Sequence, residues 1–140
     1  MNGIIGRKLG MTQIFEESGA VVPVTVVEAG PCPVVQVRTA EKNGYEAVQL
    51  GFGQKKEKRA TKAAAGHAKA AGLEATPAIL REFPISEGET PSIGEEVSVE
   101  AFEVGARVKV TGRTKGRGFQ GVVKRHGFGG GRASHGATRI

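Results

Sequence analysis

The first 53 residues contain short runs of β-branched and apolar side chains separated by glycines. This pattern is typical of β-strands joined by tight turns. The runs cover residues 4–5, 11–15, 21–27 and 34–39, and each predicts a strand.

A hairpin is predicted next, because Asn43 and Gly44 both tolerate the positive φ that tight turns require. Beyond it Val48, Leu50 and Phe52 alternate with smaller or polar residues, which predicts a strand with one buried face. Several short strands separated by glycine turns at intervals of about 8 to 12 residues favour a barrel or a sandwich.

The sequence changes character at residues 55–73, where alanines are mixed with Lys and Arg. Alanine favours helix, although Gly66 interrupts the run at a cost of about 1 kcal/mol. Few large hydrophobic residues occur here to hold a helix on a core. We therefore expect a basic helical insertion over residues 54–75, packed partly on the β-domain and partly on a partner. The alternative is a solvated surface helix.

Strand patterns resume at residues 79–83 and 96–102, and the second of these places alternate apolar residues on one face. Val108 and Val110 are predicted to continue the last strand, and Gly112 to end it. The same alternation turns the acidic residues of this region toward solvent, on a side that faces away from any nucleic acid.

Composition narrows the possible chemistry. All 14 acidic residues are Glu, so mechanisms that need an Asp triad member, an Asp metal ligand or paired Asp residues are excluded. The single cysteine, Cys32, cannot form an intramolecular disulfide and is interpreted as a small apolar core residue. With 140 residues, 39% hydrophobic and 5% aromatic, the chain suits one domain with an aliphatic core.

No apolar run approaches the roughly 18 residues needed to cross a bilayer. Glycines and the cations Arg7 and Lys8 break up the first ten residues, which excludes a signal-peptide core. We expect a reduced, cytoplasmic setting.

The net charge of +6 conceals a strong segregation of charge. Residues 1–53 carry 4 basic and 5 acidic side chains, residues 54–72 carry 6 and 1, residues 73–106 carry 1 and 8, and residues 107–140 carry 9 and 0. A segment with nine cations and no carboxylate side chain repels itself and is stabilised by a polyanion. The alternative is a disordered basic tail without a specific partner.

Nine glycines in these last 34 residues argue against a self-standing helix or a packed sheet. Glycine lets the backbone approach sugar and phosphate, and Arg supplies paired donors for phosphate oxygens. Aromatic rings among the cations could stack on unpaired bases; the alternative for the two phenylalanines is that they anchor the segment to its own β-domain. The residues predicted to contact RNA are Arg113, Lys115, Arg117, Phe119, Lys124, Arg125, His126, Arg132, His135 and Arg139 here, and Lys55, Lys56, Lys58, Arg59, Lys62, His67 and Lys69 in the insertion.

Two other motifs carry less weight. Gly116, Gly118 and Gly121 match the spacing of a dinucleotide fingerprint, but no acidic residue follows to bind a ribose. Ser134 and His135 are neighbours without an orienting Asp, so they fix no catalytic geometry. No His/Cys cluster suits a metal. We predict no catalytic site, no cofactor and no small-molecule substrate.

Several motifs in the same order resemble the bacterial type of large-subunit ribosomal protein number three. They are MNGIIGRKLGMT at residues 1–12, AGPC at 29–32, GYEAVQLG at 44–51, TKGRGFQG at 114–121 and SHG at 134–136. The resemblance covers essentially the whole chain.

The resemblance implies a translation-protein-like β-barrel with a long arm that enters the large-subunit rRNA. We expect a mainly β barrel domain at residues 1–111, incomplete on its C-terminal side, and an extended arm at residues 112–140. By the same resemblance, the protein would bind rRNA near its 3′ end, support early subunit assembly, extend the arm toward the peptidyl transferase centre and contact neighbouring ribosomal proteins.

Two departures from the family stand out. Lys109 occupies a position that is commonly acidic in the family, so we expect the salt bridge there to be absent or replaced by a phosphate contact. Family members are also longer, so either the chain is a fragment or only part of a longer protein is represented. If the chain really ended at Ile140, the barrel would have open edges and should be unstable alone. The rival functions are a general RNA chaperone and, less favoured by the missing Asp and lone Cys, a small enzyme.

Overall fold

The computed structural model describes residues 3–85, 91–132 and 134–136. The chain divides into two compact units, residues 1–106 and residues 107–140. The first unit contains all six strands found in the described residues, which confirms a mainly β fold.

A two-stranded antiparallel sheet begins the first unit. Strand β1 spans Gly6–Phe15 and pairs with β2 at Val21–Ala29, with a bulge at Leu9 where the register shifts. The predicted strands 11–15 and 21–27 are confirmed. The prediction of a strand at residues 4–5 is wrong, because Ile5 precedes β1 and packs into the core instead.

Four further strands form a second antiparallel sheet in the order β5-β4-β3-β6. They are β3 at Cys32–Arg38, β4 at Ala47–Gln54, β5 at Pro77–Pro84 and β6 at Glu96–Val97. The strands predicted at 34–39, 48–52 and 79–83 are thereby confirmed.

The predicted hairpin joins β3 to β4, which pair in antiparallel register. Its connection is longer than a two-residue turn, because residues Ala40–Asn43 form one helical turn, α1. Gly44 ends this turn with φ 78° and donates its N–H to the Ala40 carbonyl, a conformation that favours glycine.

The core lies on one face of the four-stranded sheet. Cys32, Val34, Val48 and Leu50 are fully buried there, and Ile5 packs with them. The Cys32 thiol donates a hydrogen bond to the Ile5 carbonyl at 3.4 Å, so the segment that enters β1 is tied to β3.

The predicted helix in the insertion is present as α2, Lys62–Ala70. Thr61 caps its N-terminus by accepting a hydrogen bond from the Ala64 N–H. The helix is attached to the sheet, because Ala68 and Ala71 are buried and His67 bonds to Gln49 of β4. Small alanines allow this close approach without large hydrophobic residues.

The expectation of a single buried face on β4 is therefore wrong. Ala47 and Gly51, which alternate with the core residues, are buried as well, while Gln49 between them is half-buried and bonds to α2. The sequence pattern could not show that α2 contacts this second face through His67.

The strand predicted at residues 96–102 is also wrong beyond Val97. Residues Val99–Ala101 form a 3-10 turn, which Ser98 caps by accepting the Glu100 N–H. This local hydrogen bond competes with a sheet ladder. Val108 and Val110 are exposed and lie outside the strands of the described residues, so the predicted continuation of the strand is wrong as well.

In the second unit, the described residues contain one regular element, helix α3 at Val122–His126. Gly121 precedes it, and Gly127 ends it with φ 70°. The glycine content predicted no self-standing helix here, and the structure instead contains this five-residue turn between two glycines.

Candidate nucleic-acid interface

The second unit exposes almost its entire surface. Every described residue from 107 to 136 is exposed except Gln120, which is half-buried. No Asp or Glu occurs in residues 107–140, so the arm cations have no carboxylate side chain within their own segment. Exposed cations without acidic side chains in their own segment are the chemistry that binds phosphates.

Helix α3 concentrates part of this charge. Lys124, Arg125 and His126 occupy its last turn, where the partial negative charge of the carbonyl ends favours cations. The ring of His126 lies near that of Phe128, with centroids 5.5 Å apart and planes tilted by 35°. The pair presents ring surface beside the cations.

A shallow, open depression is lined by residues that precede α3 in the chain and by one residue of the helix. Its lining combines two guanidinium groups, a ring and a carboxamide, from Arg117, Gly118, Phe119, Gln120 and Arg125. The Phe119 ring is fully exposed. These groups offer forked donors for a phosphate, a face for stacking and an amide for a base edge.

The cations of the insertion are all exposed, as an RNA-contacting role requires. They are Lys55, Lys56, Lys58, Arg59, Lys62 and Lys69. His67 differs, because it is half-buried and its Nε2 lies 2.7 Å from Oε1 of Gln49. Arg113, Lys115, Arg132 and His135 are exposed, whereas Arg139 lies outside the described residues.

A polar network on the second face of the sheet was missed by sequence reasoning. The Glu82 carboxylate accepts hydrogen bonds from the Tyr45 hydroxyl at 2.8 Å, from Arg38 Nε at 3.3 Å and from Gln49 Nε2 at 3.3 Å. Gln49 and Glu82 lie directly opposite each other on β4 and β5. Glu82 is exposed, as expected for the acidic residues of this region, but its carboxylate also accepts three hydrogen bonds.

This network shifts the titration of two groups in opposite directions. The hydrogen bond from Tyr45 is the largest cause that holds the pKa of Glu82 below its usual value of 4.5, and the Arg38 contact acts in the same direction. The bond to Glu82 raises the pKa of Tyr45 above 10.0, because the hydroxyl must keep its proton to donate. No sequence signal marks the set, since its members come from three separate strands and, for Tyr45, from the connection between β3 and β4.

Other chemistry is sparse in the described part of the chain. Cys32 is buried, and burial raises the pKa of its thiol. Among the residues that the structure describes, no three His, Cys or Glu side chains come together as metal ligands. In the same residues, no helix has both the length and the apolar character to cross a membrane.

Comparison with known proteins gives a consistent result, although no family model matches the chain. It is 54% identical over 138 residues to large ribosomal subunit protein uL3 of Herpetosiphon aurantiacus, covering 99% of this chain and 64% of that protein. It is 53% identical over 135 residues to uL3 of Gloeobacter violaceus and 51% identical over 135 residues to uL3 of Geobacter sulfurreducens, covering 96% of this chain in both cases and 63% and 64% of those proteins.

By name, these relatives are all proteins of the large ribosomal subunit. Over nearly its whole length the chain is similar to bacterial uL3 proteins, which confirms the resemblance seen in its motifs. The chain spans slightly less than two thirds of the length of these relatives.

Proposed function

We propose that this chain is a structural, non-enzymatic constituent of the large ribosomal subunit that binds large-subunit rRNA in the cytoplasm. The observation that carries the proposal is the arm, which is exposed at every described residue except Gln120 and has no acidic side chain. The names of its relatives point the same way.

In this proposal the first unit is a support and the arm enters folded RNA. The two sheets would form part of a translation-protein-like barrel over residues 1–111, and residues 112–140 would extend toward the peptidyl transferase centre. The arm cations neutralise phosphates, which provides most of the affinity without regard to sequence. The shape of the RNA cavity then provides specificity.

The depression near α3 is proposed to hold one unpaired nucleotide. Arg117 and Arg125 bind its phosphate, the exposed Phe119 ring stacks on its base, and Gln120 contacts the base edge. The cations of the insertion contact a second stretch of rRNA. Binding near the rRNA 3′ end would place the protein among its ribosomal neighbours early in assembly.

The test is competition binding to large-subunit rRNA. A ribosomal protein keeps its own site when unrelated RNA is added at equal phosphate concentration, whereas a general RNA chaperone is displaced. We expect wild-type binding to resist the competitor, and residues 113–140 to become protease-resistant in the complex. Displacement in proportion to added phosphate would reject the proposal in favour of a chaperone.

A variant with Arg113, Lys115 and Arg117 changed to Ala isolates the arm. It should bind rRNA more weakly while the first unit unfolds at the same urea concentration as wild type. The matched control changes Arg7, Lys42 and Arg81 to Ala, which removes the same charge outside the predicted site. Equal loss in both variants would show that the arm has no special role.

A further inference from the structure

The hydrogen bonds around Gln49 have only one consistent set of donors. The Glu82 carboxylate can only accept, so the Gln49 amide nitrogen must be the group that faces it, at 3.3 Å. The carboxamide oxygen of Gln49 therefore faces His67, and His67 Nε2 must carry a hydrogen to donate across 2.7 Å. Both the neutral Nε2–H tautomer and the charged imidazolium satisfy this requirement.

Helix α2 depends on such contacts for its position. It has nine residues and contains Gly66, whereas isolated helices shorter than about 12–15 residues are marginal in water. Its sheet-facing side consists of His67 with the buried Ala68 and Ala71 and the half-buried Ala64. Among these, His67 is the residue with a directional bond to the sheet.

The rotation of α2 decides where its lysines lie. Lys62 and Lys69 are seven residues apart and share one face, which lies about 160° around the helix axis from the centre of the sheet-facing side at 100° per residue. Both are exposed. A helix held by His67 therefore directs both ammonium groups away from the sheet.

We infer that Glu82, Gln49 and His67 form a positioning relay that holds α2 on the sheet and presents Lys62 and Lys69 together to RNA phosphates. The inference rests on the proposed function and deepens it, since it assigns His67 to positioning instead of direct RNA contact. Tyr45 and Arg38 complete the relay by fixing the Glu82 carboxylate.

The first test removes the middle of the relay with Gln49→Met, and hydrogen exchange follows the amides of α2. We expect these amides to exchange about tenfold faster, the change for one lost hydrogen bond of ordinary strength, while the amides of Val48 and Leu50 keep their protection. The matched control is Gln36→Met, which changes the residue directly opposite Gln49 on β3. Unchanged exchange in α2, or equal changes in both variants, would overturn the relay.

The second test is a double-mutant cycle on rRNA affinity at one salt concentration. Changing Lys62 and Lys69 to Ala should weaken binding about threefold to tenfold in the wild-type background. In the Gln49→Met background the same change should have little further effect, because the lysines are no longer held together. Full additivity would show that the relay has no positioning role.

Glu82→Gln is the second variant, and it tests the relay if the Gln49→Met protein fails to fold. It keeps the size of the side chain and changes the net charge from +6 to +7, so simple electrostatics would strengthen RNA binding. The relay predicts weaker binding instead, and stronger binding would contradict it. If wild-type chain does not bind rRNA, the proposed function and the assignment of the lysines both fail, while the exchange data still decide whether the relay holds α2.

Discussion

Gly51 lies against Pro77 so closely that a Cβ added at Gly51 would be 2.8 Å from Cγ of the proline ring. Cγ2 of Val35 would lie 3.1 Å from the same position. Both neighbours belong to paired strands of one sheet, so neither moves away without disturbing its ladder. The absence of a side chain at Gly51 is therefore a packing requirement.

Gly51→Ala should lower the free energy of unfolding by about 1–3 kcal/mol, the usual cost of overpacking. The matched control is Gly66→Ala in α2, where an added Cβ meets nothing within 4 Å. That change should raise stability by up to about 1 kcal/mol, since Ala is the better helix former. Urea unfolding measures both, and equal effects of the two changes would contradict the packing account.

Phe119→Ala separates stacking from anchoring. If the exposed ring stacks on a base, the change should weaken rRNA binding by about 1–3 kcal/mol and leave stability unchanged. If the ring anchors the arm to its own β-domain, stability should fall. Calorimetric binding and urea unfolding distinguish the two, with Phe52→Ala in the core as the control that lowers stability by about 3–5 kcal/mol.

The salt dependence of binding reports how many arm cations meet phosphates. If about six do so, log K against log salt should have a slope of about −4 to −5. Changing Arg113, Lys115 and Arg117 to Ala should make the slope less steep by about 2 to 3. A slope that stays the same would show that these three residues meet no phosphate.

Acid should remove the contribution of Glu82 to stability. Because its pKa is lowered in the folded state, this contribution is present above the ordinary value of 4.5 and is lost as pH falls through the lowered value. The stability gap between wild type and Glu82→Gln should therefore narrow as pH falls below 4.5. Urea unfolding across this pH range provides the test, and a stability gap independent of pH would contradict the lowered pKa of Glu82.

Tyr45→Phe tests the cause of the same shift. Removing the hydroxyl removes the largest lowering influence, so the pKa of Glu82 should rise toward 4.5 in an NMR titration of its carboxyl carbon. Gln36→Met is the control and should leave this titration unchanged.

Much of the fold could be predicted because it is encoded locally. Alternation at Val48 and Leu50 predicts a strand wherever that strand lies, and Gly44 favours the positive φ that its turn adopts. The prediction of a strand through Val99 was wrong, because Ser98 caps a turn there by accepting the Glu100 N–H. Apolar alternation along the chain does not reveal such a cap.

The candidate interface divides in the same way. The clusters of Lys and Arg in the arm and in the insertion are visible in the sequence. Cations such as Arg113 and Lys62 could therefore be predicted as RNA contacts from the sequence, and they remain predictions. His67 could not be assigned to positioning, because the bond that defines its role comes from Gln49, 18 residues away in the chain.

The mainly β character, the basic helix and the segregation of nine cations into a carboxylate-free segment all follow from local features of the amino-acid sequence. Tertiary packing brings α2 against the second face of the sheet at His67 and lets Glu82, Gln49 and His67 meet. Strand and helix propensities act between residues that are close in the chain. The hydrogen bonds that link β5, β4 and α2 join residues far apart in the chain and can form only after the sheet has set its register.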